Sequence, residues 1–168
     1  LMLGFNVSQS TVSKYMLKFR GLPSLTWRAF LKHQADGIAA IDFFTAHTIR
    51  FEVLYALVIL SHSTRQILHV AVTAHPTAEW TARQIVEAFP WDSAPRHILR
   101  DNDAIYGAVY RDRLKGMNIR DIRTAYRSPW QNAFAERLIG SIRRECLNHM
   151  IIWNAAHLLR TLKSYVEY

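Results

Sequence analysis

Three apolar segments follow one another between Gly37 and Thr73, and after Thr77 strand-like and helix-like patterns alternate. That order constrains the fold more than any other feature. Gly37-Ile-Ala-Ala-Ile-Asp-Phe-Phe44 is a short apolar run interrupted by one acid, Asp42. Phe51–Leu60 and Gln66–Thr73 follow as β-rich segments joined by the turn-like Ser61-His-Ser-Thr-Arg65. Three adjacent antiparallel strands are the economical reading. Thr77–Phe89 reads as a helix capped by Thr77, and His97–Arg100 as a short strand running into Asp101-Asn-Asp103. Ala104–Lys115 reads as an amphipathic helix closed by Gly116, Asn118–Thr124 as a strand, and the chain from about Asn154 as a last helix. Strand, strand, strand, helix, strand, helix, strand, helix, helix describes an α/β domain with helices packed on a five-stranded sheet.

The penultimate helix lies in Arg127–His149. Ser128 suits the N-cap and Pro129 the first helical position. Phe134, Leu138, Ile142 and Cys146, with Ala135, Ile139 and Leu147 beside them, make a 3.6-residue stripe facing a core. Glu136 falls outside that row. Arg143 follows two turns later on the same ridge, with Gly140 between them, an arrangement suited to a metal ion and a phosphodiester. A solvated charged helix face is the plainer reading of the same residues.

The 168 residues suffice for one sizeable core. Lys plus Arg number 21 against 13 acids, a net charge of +8, which favours a polyanionic partner, nucleic acid before membrane surface. The lone cysteine, Cys146, excludes a disulfide framework and fits a reducing cytosol. The longest apolar run, Phe51–Leu60, is too short to span a bilayer, so no membrane association is expected. His62, His69, His75 and His97 show no zinc-ligand spacing, and no serine sits in a nucleophile elbow.

Residues 1–20 form a separate unit. Val7–Met16 has the pattern of the second helix of a helix-turn-helix, capped by Ser8, with Gln9, Ser10, Ser13 and Lys14 facing a DNA major groove. An amphipathic helix of no special purpose fits the same pattern. Residues 21–36, with Gly21-Leu-Pro-Ser24, read as a linker, and residues 37–168 as the main domain. The chain starts inside the first unit and ends inside a helical pattern, and it is expected to be a fragment truncated at its C-terminus.

Three acids stand apart from their surroundings. Asp42 interrupts an apolar strand, where an ionised carboxylate is costly without a partner; ending a strand or pairing with an arginine would also explain it. Asp101 lies at a strand's end, where α/β sheets commonly present site residues, and also suits an Asx turn before the next helix. Asp103 competes for that capping role. Glu136 is the helix-borne third. Two strand-borne aspartates and one helix-borne glutamate are the hard oxygen ligands that Mg²⁺ ions require.

Ile41-Asp-Phe-Phe-Thr45, Arg100-Asp-Asn-Asp103 and Ser128-Pro-Trp-Gln-Asn-Ala-Phe-Ala-Glu136, continuing through Arg143 to His149, resemble the catalytic core of DDE transposases and retroviral integrases, in particular bacterial insertion-sequence transposases. The resemblance covers about Trp27–Tyr168 and implies an RNase H-like five-stranded mixed sheet flanked by helices. It implies metal-dependent DNA strand cleavage and 3′-hydroxyl strand transfer, with Asp42, Asp101 and Glu136 holding two Mg²⁺ or Mn²⁺ ions. Asn132 and Arg143 are expected to position the DNA backbone, and Arg127, Arg137 and Arg144 to add phosphate affinity. The implied partners are double-stranded DNA and further copies of the chain, in a bacterial cytoplasm. Where many members carry Gly two residues after the second Asp, this chain has Asp103. Where retroviral integrases often carry Lys four and seven positions after the Glu, it has Gly140 and Arg143. A hydrolysis-only nuclease of the same fold and a repurposed, non-catalytic DNA-binding protein are the alternative readings.

Overall fold

The computed structural model describes residues 29, 35–90, 93–125 and 132–167. The expected helix-turn-helix remnant, nearly all of the linker, and the expected helix start at Ser128-Pro129 lie outside the described residues. The strands are β1 (Ile38–His47), β2 (Val53–Ser61), β3 (Ile67–Thr73), β4 (His97–Arg100) and β5 (Arg120–Arg123). The helices are α1 (Ala78–Ala88), α2 (Ala108–Gly116), α3 (Ala133–Glu145) and α4 (Ala155–Glu167). No helix among the described residues is long and apolar enough to cross a membrane.

The sheet order is β3-β2-β1-β4-β5. β1, β2 and β3 pair antiparallel, as expected from their short connections, whereas β1, β4 and β5 pair parallel. Helices cover both faces, which explains why β1 and β2 read as near-continuous apolar runs rather than as alternations. Ala39, Ile41, Leu57, Ile59 and Ile98 pack beneath α1 and α2 with Ile85, Tyr110 and Leu114. On the opposite face Phe44, Ala46, Ala56 and Val58 meet Ile142, Leu158 and Leu162 of α3 and α4. Ile38, Ala40, Leu60 and Leu99 receive Ala135, with Phe134 and Leu138 at the margin. The apolar stripe of α3 thus lies on the sheet.

Local hydrogen bonding sets the helix ends. Thr77 accepts from the Trp80 amide at 3.1 Å, the cap expected for α1. In α4, Asn154 plays the same part for the His157 amide at 2.9 Å. Several boundaries differ from the sequence expectation. α2 starts at Ala108 rather than Ala104, because the Asp103 carboxylate takes the Ile105 amide at 3.0 Å and holds 103–106 as a turn. Its end is made by Asn118 rather than Gly116. Asn118 is left-handed (φ 56°), its amide donates to the Lys115 carbonyl at 3.0 Å, and the next amide, Ile119, donates to Leu114 at 2.9 Å. That is a Schellman closure with asparagine in the glycine role, and it shortens β5 to Arg120–Arg123. After α3 the chain tightens into a 3-10 turn, Leu147–His149, rather than continuing as α-helix.

Candidate active site

Asp42 lies mid-strand in the row of β1 that also carries Ala40 and Phe44, on the face covered by α3. The parallel register pairs Ala40 with Leu99; continued two residues, past the end of β4, it leads to Asp42 and Asp101, and the Asp101 charge is felt at Asp42. Neighbouring strands run about 4.8 Å apart, and in register their side chains leave the sheet on the same side. Asp42 accepts the Phe43 amide at 2.8 Å and makes no ion pair among the described residues. Burial, with repulsion from Asp101, Glu136 and Asp103, overcomes that hydrogen bond and raises its carboxyl to about 7. Asp101 is also raised, first by burial and then by the Asp103 charge, against the Asp103 amide and the Arg100 guanidinium. Mutual repulsion falls on Asp42 because the less buried acid ionises first.

Glu136 is exposed on the first turn of α3, its carboxyl raised by partial burial. Its charge is felt by Asp42 and not resolvably by Asp101. Asp42 is thus the acid that feels both Asp101 and Glu136. Among the described residues no three His, Cys, Asp or Glu side chains already stand close enough to hold an ion. Asp101 also makes the turn that its alternative reading described, accepting the Asp103 amide at 3.3 Å.

The expected DNA-contacting residues divide. Arg137, Arg143 and Arg144 are exposed on α3. Arg143 leans back over β1, donating to the Thr45 carbonyl at 3.2 Å with its guanidinium 5.7 Å from the Phe44 ring centre. Asn132 departs from expectation. It is 5% exposed, and its amide nitrogen donates to the Ile41 carbonyl at 3.4 Å. Facing inward, it ties the start of α3 to the residue before Asp42 instead of reaching towards a DNA backbone. Arg127, Gln9, Ser10, Ser13 and Lys14 lie outside the described residues.

Sequence reasoning missed the brace beneath this cluster. Arg100, 2% exposed, grips both oxygens of Asp121 on β5, Nε to Oδ1 at 2.8 Å and a terminal nitrogen to Oδ2 at 2.7 Å. Its other terminal nitrogen donates to the Asp101 carbonyl at 2.9 Å, and the Tyr106 ring lies 4.7 Å from the guanidinium carbon. An arginine closing the apolar Ile98-Leu99-Arg100 strand was the available signal. Tyr106 packs against Phe43, and its buried hydroxyl has no hydrogen-bond partner among the described residues. Burial first, then Tyr110, Asp101 and Asp42, holds that phenol well above its usual range.

Residues 117–168 match the integrase core domain, a segment that includes Glu136 and excludes both aspartates. No curated protein matches the chain. Among solved structures, the catalytic domain of the Mos1 mariner transposase aligns with a TM-score of 0.69 at 13% identity, over 84% of this chain and 78% of that one. The HTLV-2 integrase catalytic core domain, in complex with magnesium, aligns at 0.59 and 14%, over 78% and 82% respectively. A simian T-cell lymphotropic virus intasome, bound to a PP2A regulatory subunit, aligns at 0.63 and 14% over 77% of this chain, which spans only 48% of that one. At these identities the likeness is one of fold. The chain has the RNase H-like core fold of transposase and integrase catalytic domains, with an integrase-core segment at its C-terminal end.

Proposed function

We propose that this chain is the catalytic core of an integrase-type DNA transposase, cutting DNA strands and joining a 3′-hydroxyl to target DNA in a bacterial cytoplasm. The observation that supports the reading is the parallel β1/β4 register, which leads on to Asp42 and Asp101 at neighbouring positions, with no arginine paired to Asp42 among the described residues. Adjacent carboxylates that repel one another form a hard-oxygen donor set suited to Mg²⁺ or Mn²⁺. Asp42, Asp101 and Glu136 would hold two such ions. When bound, such ions activate the attacking water or 3′-hydroxyl oxygen and stabilise the leaving 3′-oxygen.

The chain's own residues supply the framework. Arg100 fixes the Asp101 backbone, and Asn132 fixes the start of the helix that carries Glu136. Arg143, Arg137 and Arg144, with Arg127, contribute phosphate affinity that weakens as salt rises. Pairing two element ends asks for at least a dimer on double-stranded DNA.

Strand joining on a branched oligonucleotide with Mg²⁺ or Mn²⁺ tests the reading, comparing this chain with Glu136→Gln. The variant should lose at least about a thousandfold in rate while keeping its fold and DNA affinity. Equal joining by both proteins would refute the assignment. Metal-dependent hydrolysis without joining would make the chain a nuclease, and salt-sensitive binding with neither reaction a DNA-binding core.

A further inference from the structure

The β2–β3 turn carries a residue that its backbone does not favour. Arg65 is left-handed at φ 60°, a conformation for which glycine or asparagine is the usual occupant. The turn is held by the Arg65 amide donating to the Ser61 carbonyl at 2.9 Å and the Ser61 amide to Gln66 at 2.9 Å. The exposed Arg65 side chain lies over the Phe134 ring of α3, 4.9 Å from its centre, while His62 meets the same ring edge-on at 4.7 Å. Backbone strain at an exposed arginine is a pointer to function rather than to packing.

Arg65 and Arg137 stand at the rim of an open cleft of about 270 Å³, floored by Leu60, Phe134 and Leu138. Among the described residues no carboxylate lines it. At its far end the Tyr165 hydroxyl donates to Glu145 of α3 at 2.8 Å. By helical periodicity, Phe134, Leu138 and Ser141 lie on one flank of α3, and Glu136 and Arg143 on the other. Exposed Arg137 and Arg144 follow the crest between them. A helix with side chains is about 10–12 Å across, so a DNA strand crossing α3 would span about three phosphates from one flank to the other.

We propose that this cleft is a second DNA-contact site, in which Arg65 and Arg137 hold the backbone of a strand crossing α3 while its sugar or base edge rests on Leu60, Phe134 and Leu138. The inference rests on the DNA-processing reading above and extends it to a residue outside the acidic cluster. Guanidiniums over an apolar floor, with no competing carboxylate, complement a phosphate joined to an apolar ring.

Fluorescence anisotropy of a labelled duplex with a 3′ single-stranded overhang, from about 50 to 200 mM NaCl, tests it on the full chain. Arg65→Ala should weaken binding by about five- to tenfold and lower the slope of log affinity against log salt by about one. Arg65→Lys should restore most of the affinity. Arg83→Ala, an exposed arginine on α1 across the sheet, should bind like wild type. Wild-type affinity and slope in Arg65→Ala would overturn the site while leaving strand joining, and the functional reading, intact. An equal loss in Arg83→Ala would reduce the effect to net charge and overturn it too. Weakened binding in both Arg65 variants with a matching fall in melting temperature would make Arg65 a structural turn residue. A wild-type chain that neither binds nor joins DNA would end both proposals.

Discussion

Two half-buried aspartates lie on strands either side of β4, and the protein treats them in opposite ways. Asp121 on β5 is met on both oxygens by a fully buried arginine. Asp42 on β1 has a single backbone amide and two further aspartates and a glutamate within electrostatic reach. A carboxylate kept for stability is paired where it is desolvated, since an uncompensated buried charge is expensive. Repulsion left standing at Asp42 is a standing cost to the fold, of the kind functional sites carry. The two are mechanically joined: the arginine that neutralises Asp121 also holds the Asp101 backbone. The spent acid braces the unspent ones.

The largest effect should come from breaking the paired side. Arg100→Met leaves Asp121 uncompensated in the sheet and should destabilise the protein by about 3–5 kcal/mol, read as a fall in the urea midpoint. That is a large share of the roughly 5–15 kcal/mol that holds a domain together. Replacing both partners, Arg100→Met with Asp121→Leu, should recover most of the loss, because an apolar pair of similar volume carries no stranded charge. Activity should stay low in the double variant, whose Asp101 carbonyl has lost its donor. A cost below about 1 kcal/mol for Arg100→Met would mean that the pair behaves like an exposed bridge and that the contrast with Asp42 is false.

The contrast also marks what the sequence could disclose. Asp42 was legible because a lone acid inside Ile38–Phe44 is conspicuous in a run otherwise apolar. The three antiparallel strands, α1 and the core stripe of α3 were legible for the same reason, since periodicity and capping are local. The Arg100–Asp121 pair spans 21 residues and depends on β4 and β5 lying parallel in one register, which no local pattern encodes. α2 starts four residues later than its pattern suggests because the Asp103 side chain holds a turn, and it closes at the left-handed Asn118 rather than at Gly116; helix propensity registers neither. Asn132 looked like an outward polar residue on a charged helix, and only the packing of α3 on β1 turns it inward.

A smaller effect tests the unpaired side through pH. The Asp42 carboxyl is raised from 3.8 to about 7, so between those values the folded chain binds more protons than the unfolded one. Stability is then fully present below the lower value and falls as pH rises through the window, levelling above about 7. A three-unit displacement sets a ceiling of about 4 kcal/mol, and relaxation of a half-buried group brings the expectation to about 1–2 kcal/mol. Asp42→Asn should therefore be more stable than wild type at pH 8 in denaturant melts, with an advantage that shrinks towards pH 4. Curves that run parallel across that range would show that Asp42 carries no unrelieved charge.

The smallest effect asks whether a cation relieves that charge. Divalent ions require ionised carboxylates, so Mg²⁺ or Mn²⁺ should stabilise the wild type more at pH 8 than at pH 6. At ten times the dissociation constant the gain is about 1.4 kcal/mol, or roughly 3–6 °C in melting temperature for a chain of this size. Asp42→Asn should lose the gain, since it removes the donor shared with both Asp101 and Glu136. Glu136→Gln should lose only part of it, because Asp42 and Asp101 remain side by side without the helix. The double variant at Arg100 and Asp121 should keep only part of it, because Asp42 and Glu136 are untouched while the Asp101 carbonyl has lost its donor. An Asp42→Asn protein that melts as much higher with Mn²⁺ as the wild type would place the ion elsewhere, and the repulsion at Asp42 would then be a cost without that use.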